Sequence, residues 1–276
     1  MLEHQRNGTA TPSFTYSHLD ELKASWDDDH IYGTPAEIVK ATATSLYAGA
    51  SDTTVSAMRA FFLAMLIYPE VQARAAAEVQ EVVGSDRLPT LADRASLPYC
   101  SAVLKELYRW AVVGPLGELE NCNQHQSDVL KPLAGVPHVN KSQDDIYEGV
   151  LIPKGTLVIA NLWFVPSVPR FGHRIYPIFR AINRDPQTYT DPDTFDPLRF
   201  LDHKTPETKV IFGYGRRYCP GVGLAEASMF LQITQMLAVF KLERTRDTNG
   251  HEIIPPAIWE TGTIRFVSSQ SPRKLY

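Results

Sequence analysis

Phe212-Gly-Tyr-Gly215-Arg-Arg217-Tyr-Cys219-Pro-Gly221 sets one cysteine among glycines and arginines, immediately before a run of helical periodicity. Gly213 and Gly215 carry no Cβ, so the backbone there turns tightly, lies close against a flat partner and aims its amides at a sulfur. Apolar residues recur at helical spacing over residues 224–240, which places Cys219 just ahead of a helix N-terminus, where partial positive charge favours a thiolate over a thiol. Arg217 adds a fixed cation near that sulfur. The segment reads as a loop presenting a thiolate metal ligand; the plain alternative is a buried, inert cysteine on a glycine-rich turn.

Upstream, Thr34-Pro-Ala-Glu37 combines a threonine N-cap, a proline at the first helical position and a glutamate three residues past the cap. It predicts a helix running to about residue 67 and stopping before Tyr68-Pro69, roughly 50 Å long at about 1.5 Å per residue. Residues 69–83 predict a second helix, ended by Gly84, and residues 98–110 a third. Over residues 144–161 the period changes: Tyr147, Val150, Ile152, Leu157, Val158 and Ile159 flank Pro153-Lys154-Gly155, predicting a β-hairpin that turns there. Pro186, Pro192 and Pro197 make residues 185–200 an ordered, irregular meander, and short strands are predicted near Ile253 and over residues 263–267. Residues 1–33 are polar, with Asp27-Asp28-Asp29, and read as a surface lead-in with one short helix near residues 19–26.

Composition narrows the classes. At 276 residues and 30.9 kDa the chain is long enough for one large core or two modest ones, in the proportions of a globular protein. A formal net charge of -4 with no Lys/Arg block argues against nucleic acid as the main partner. Cys100, Cys122 and Cys219 form no C-x-x-C pair, which argues against a zinc site, an iron–sulfur site or a disulfide framework. The longest apolar run, residues 55–68, is too short to span a bilayer and carries Arg59, so no membrane span of its own is expected.

The spacing F-x-x-G-x-R-x-C-x-G over residues 212–221 resembles the haem-binding loop of the cytochrome P-450 family, in which the cysteine is the axial ligand of haem iron. The resemblance implies Cys219 as the metal ligand of haem b (iron protoporphyrin IX), with Phe212, Gly215 and Gly221 shaping the loop and Arg217 meeting a haem propionate. Gly49-Ala50-Ser51-Asp52-Thr53-Thr54 resembles the central-helix motif Ala/Gly-Gly-x-Asp/Glu-Thr-Thr/Ser, with Ala50 where glycine is usual. It implies Thr53 as an oxygen-activating hydroxyl and Asp52 as a proton relay. From the residues alone, this hydroxylic stretch either loosens the helix locally or forms a helical patch facing a neighbouring loop.

Glu106 and Arg109 share a helix face at a spacing that usually means a solvated pair. Pro197-Leu-Arg199-Phe200 resembles the family's P-x-R-F segment, and the resemblance implies a buried structural network of Glu106, Arg109 and Arg199 that is not catalytic. Gly135-Val-Pro-His138 resembles the strand whose histidine or arginine meets the propionate, making His138 a second candidate; a satisfied surface histidine is the alternative. Lys204, Lys209 and Arg216 read either as a docking face for an electron donor or as a solvated surface.

The implied fold is mainly α with a small β-sheet, the C-terminal haem-binding portion of the P-450 fold, with residues 1–33 as lead-in and 34–276 as an incomplete haem-binding domain. Asp52-Thr-Thr-Val-Ser56, Tyr147-Glu-Gly149 and Ile152-Pro-Lys-Gly-Thr156 resemble the fungal microsomal branch. That implies a haem-thiolate monooxygenase acting on a small organic substrate, fed electrons from NADPH by a cytochrome P-450 reductase at the endoplasmic reticulum membrane. The chain itself, expected to lack the anchor and the front half of the fold, would be soluble or aggregated. Two other readings stand beside this one: a non-catalytic truncated fragment with weak or no haem binding, and a helical protein-binding module that exposes an apolar face of the long helix.

Two stretches break the family pattern, residues 118–135 between Pro115-Leu-Gly117 and Val136-Pro-His138, and residues 164–181 between Asn161-Leu-Trp163 and Asn183-Arg-Asp-Pro186. Neither has strand or helix periodicity. Gly117-Glu118-Leu119 is encodable by a splice-donor-like sequence, and Leu133-Ala134 and Phe179-Arg180 by acceptor-like ends, so both read as translated introns; genuine surface loops are the alternative.

Overall fold

The computed structural model describes residues 13–25, 34–114, 138–140, 144–154, 157–159, 182–202, 204–206, 209–213 and 218–259. The chain divides into two compact units, Met1–Asp52 and Thr53–Tyr276. In the first, helix α1 (Phe14–Ser25) begins five residues earlier than its sequence suggests, and Leu19 on it is buried. Helix α2 (Pro35–Ile67) opens in the first unit. Its start is a reciprocal cap: the Thr34 N–H donates to Glu37 Oε2 at 2.8 Å and the Glu37 N–H to Thr34 Oγ1 at 3.4 Å.

The second unit holds the core. The last turns of α2 (Ala57, Phe61, Ala64 and Met65) share one apolar cluster with α3 (Pro69–Val82), α4 (Pro98–Trp110) and α5 (Val222–Val239). Polar side chains close the helix ends that this packing buries. The Glu78 carboxylate accepts the N–H groups of Tyr99 and Cys100, both at 2.8 Å, and so caps the start of α4. Gln72 accepts from the Leu242 N–H at 2.7 Å and donates to the Leu242 carbonyl at 3.0 Å, stitching the chain after α5 to α3.

Arg244 donates to the Leu66 and Ile67 carbonyls at 2.7 and 3.0 Å, placing a cation on the C-terminal end of α2. Arg244→Ala leaves both carbonyls without that donor, and a loss of about 1.5–3 kcal/mol is expected for charge-assisted bonds of this kind. A urea titration reads it as a lower midpoint with an unchanged slope.

The strands depart from the hairpin expected at Pro153-Lys154-Gly155. β2 (Asp145–Tyr147) pairs antiparallel with β3 (Val150–Ile152), and the turn is Glu148-Gly149, with φ of 48° and 80°. Both central residues are left-handed, as a two-residue hairpin matching strand twist requires. Beyond Pro153 the chain does not fold back on β3; β4 (Leu157–Ile159) instead pairs with β1 (His138–Asn140). Near Ile253 there is no strand but an isolated bridge, Arg246 to Glu252, and residues 263–267 lie outside the described part. The 185–200 meander is flanked and closed by 3-10 turns at Ile182–Arg184 and Pro197–Phe200.

Among the described residues α2 and α5 are long and apolar enough to cross a membrane by length and composition. The residues 55–68 run understated this, because small uncharged residues extend the apolar character of α2 well beyond it. Both helices send side chains into the core, among them Phe61 and Met65 of α2 and Phe230 and Ile233 of α5.

Candidate functional site

Cys219 sits three residues ahead of Val222, the first residue of α5, and its half-buried thiol is a free cysteine. Two backbone bonds fix it. Its N–H donates to the Phe212 carbonyl at 2.8 Å, and its carbonyl accepts the Val222 N–H at 3.4 Å. Gly213, buried, has a φ of 92°, a left-handed conformation that a side chain would strain, so the loop leaves Phe212 in a direction only glycine allows without cost. The first turn of α5 contains no acidic residue, leaving the positive end of its dipole free for an anion at the cysteine.

These residues fit a flat group held by one thiolate. A Cβ built on Gly221 would lie 3.8 Å from Cys219 Sγ, so the glycine keeps that flank of the sulfur clear. Among the described residues no three His, Cys, Asp or Glu side chains converge as a metal cluster. Cys100 has a different environment: it is fully buried, its Sγ donates to the Ala75 carbonyl at 3.6 Å, and burial pushes its thiol well above the usual range.

Behind the loop, Glu106 and Arg109 on α4 are both fully buried and meet in a two-pronged pair, with Nε to Oε2 and Nη2 to Oε1 each at 2.7 Å. Arg199 adds a bond from its Nε to Glu106 Oε1 at 3.1 Å, and the Asp196 N–H another at 2.7 Å. Arg109 donates onward to the carbonyls of Asn183 (3.0 Å), Pro192 (2.7 Å) and Thr194 (2.9 Å), and Arg199 to Thr190 (2.9 Å) and Thr194 (3.3 Å). Trp110 Nε1 reaches the Asp193 carbonyl at 2.9 Å. Two guanidinium groups thus hold the meander by its backbone oxygens.

The other candidates are placed less closely. Asp52 is exposed and Thr53 half-buried on α2, which runs through residues 49–54 as unbroken α-helix, so the local loosening expected there is not present. Gly215, Arg216 and Arg217 lie outside the described residues, as do the side chains of His138 and Lys209; the backbone of His138 is in β1. Lys204 is exposed. The stretches 118–135 and 164–181 also lie outside the described part.

The sequence profile described as Cytochrome P-450 matches residues 11–125 and 170–261. The chain belongs to the cytochrome P-450 family. Among its P-450 relatives, it is 41% identical to cytochrome P-450 monooxygenase claR of Ampulloclitocybe clavipes, over 93% of this chain and 41% of that protein. It is 42% identical to cytochrome P-450 monooxygenase 208 of Postia placenta, over 96% of this chain and 45% of that one. Tryptamine 4-monooxygenase of Psilocybe cyanescens is 35% identical, over 94% and 45%. A solved zebrafish cytochrome P-450, in a structure with abiraterone, superposes with a TM-score of 0.68 at 25% identity, covering 94% of this chain and 52% of that one. The chain therefore spans less than half the length of these three fungal P-450 relatives.

Sequence reasoning passed over Tyr108, which lies between Glu106 and Arg109 and points its ring at Phe212, and Asn183, buried beside Arg109. The aromatic ring at position 108 was visible as a type; its direction was not, because it depends on how α4 packs against a loop more than a hundred residues away.

Proposed function

We propose that the chain carries the haem-thiolate site of a monooxygenase that inserts one atom of O2 into a small organic substrate, with Cys219 as the residue that would hold the iron. The observation that supports it most is the presentation of Cys219 in a P-450 chain: a half-buried thiol ahead of α5, its N–H tied to Phe212, the Gly221 side of the sulfur clear. When bound, haem b supplies oxygen activation at iron, and a thiolate ligand promotes O–O cleavage.

The protein's own part is orientation and proton handling. Cys219 would hold the iron, and Phe212, Gly215 and Gly221 would shape the loop around the haem. Arg217 and His138 would take the propionates, arginine being suited to carboxylate by its paired N–H groups. The Thr53 hydroxyl holds water and passes protons, and the Asp52 carboxylate exchanges them with solvent, which fits its exposed position on α2. Electrons come from NADPH through a cytochrome P-450 reductase at the endoplasmic reticulum, with Lys204, Lys209 and Arg216 as its docking charges.

The purified chain, loaded with haem, reduced and exposed to carbon monoxide, is expected to show the Soret band of a thiolate-ligated haem. Absence of that band overturns this reading and leaves the non-catalytic fragment in its place.

A further inference from the structure

We infer that Tyr108 is a positioning residue that sets the Cys219 loop through Phe212; the inference rests on Cys219 being the haem ligand. Tyr108 is 9% exposed, and its ring meets Phe212 edge to face, with centroids 5.3 Å apart and planes at 85°. Phe212 also meets Tyr218, at 6.4 Å and 60°. The same Phe212 gives its carbonyl to the Cys219 N–H at 2.8 Å. The ring of Phe212 is thus gripped from α4 and from the residue next to the cysteine, while its carbonyl holds the cysteine itself. Edge-to-face pairs have a defined geometry, so they fix direction as well as distance.

α4 is a firm base for this grip. Arg109, the next residue, anchors the helix to the carbonyls of Asn183, Pro192 and Thr194, whereas Tyr108 points to the loop. One turn of helix therefore joins the charged network to the cysteine loop.

The hydroxyl and the ring of Tyr108 contribute in opposite senses. Among the described residues Tyr108 Oη is buried without a hydrogen-bond partner, and burial, with the Glu226 carboxylate adding to it, pushes the phenol above its usual range. An unpartnered buried hydroxyl opposes folding, so the stabilising part of the side chain is the ring. Phenylalanine is then the conservative replacement that keeps the grip, and alanine the one that loses it.

The test is amide hydrogen exchange by NMR on the full chain without haem, comparing Cys219 with the core amides of α5 from Phe230 to Leu237. Tyr108→Ala and Phe212→Leu are each expected to speed exchange at Cys219 about two- to tenfold relative to those core amides, the range one aromatic pair gives. Tyr108→Phe is expected to leave it unchanged. In the haem-loaded, reduced, CO-bound chain, Tyr108→Phe keeps the thiolate-type Soret band and Tyr108→Ala loses part of it.

If Phe212→Leu leaves Cys219 in step with the α5 core, the inference fails, whatever Tyr108→Ala does to overall stability. It fails equally if Tyr108→Phe loosens Cys219 as much as alanine does. A wild-type chain lacking the thiolate band would instead overturn the proposed function, with the exchange comparison still deciding the grip itself.

Discussion

Glu106→Ala is expected to destabilise the protein by about 3–5 kcal/mol, the cost of stripping the partner from a buried charge. Arg109 is fully buried and would lose both of its short bonds to the carboxylate; Arg199 would lose its Nε acceptor, and the Asp196 N–H its carboxylate acceptor. Against a typical domain stability of about 5–15 kcal/mol this removes about a fifth or more. The measurement is the urea midpoint followed by circular dichroism; a shift worth less than about 1 kcal/mol would show that the pair is not buried in solution.

The double variant Glu106→Leu/Arg109→Leu tests the cause. Because no unpaired charge remains, it is expected to cost less than the sum of the two single changes. It will not be neutral. Arg109 also serves three carbonyls of the meander, and leucine leaves those of Asn183, Pro192 and Thr194 without that donor.

Cys219→Ser is expected to abolish the thiolate-type Soret band and to lower haem retention at least about tenfold, or roughly 1.4 kcal/mol. Serine keeps the size, the backbone bond to Phe212 and the position ahead of α5. It removes the soft, readily ionised sulfur on which the ligand role depends. Spectral titration of wild type and variant with haem measures both effects, and unchanged fold by circular dichroism separates them from misfolding. An identical spectrum in the two proteins would sink the assignment of Cys219.

The helix boundaries were legible because their signals are local. Thr34 and Glu37 close a capping box across one turn, and Pro69 and Pro98 start α3 and α4 where a missing N–H costs nothing. The hairpin was misread at the same scale: Pro153-Lys154-Gly155 has turn composition, yet the turn formed at Glu148-Gly149, where Glu148 adopts a left-handed conformation that its residue type gives no reason to expect. Pairing of β4 with β1 joins residues about twenty apart, and no short-range pattern states it.

By itself, the sequence determined the helices, the P-450 resemblance, the cysteine ahead of α5 and the i,i+3 spacing of Glu106 and Arg109, all set by residues within a few turns of one another. Burial of that pair was implied by the resemblance alone; only the tertiary structure decided which carbonyls of the meander it reaches and that Tyr108 points at Phe212. The physical reason is the same in each case. A backbone carbonyl is identical at every position and a ring has no preferred partner, so which of them meets which side chain is settled only when distant segments pack.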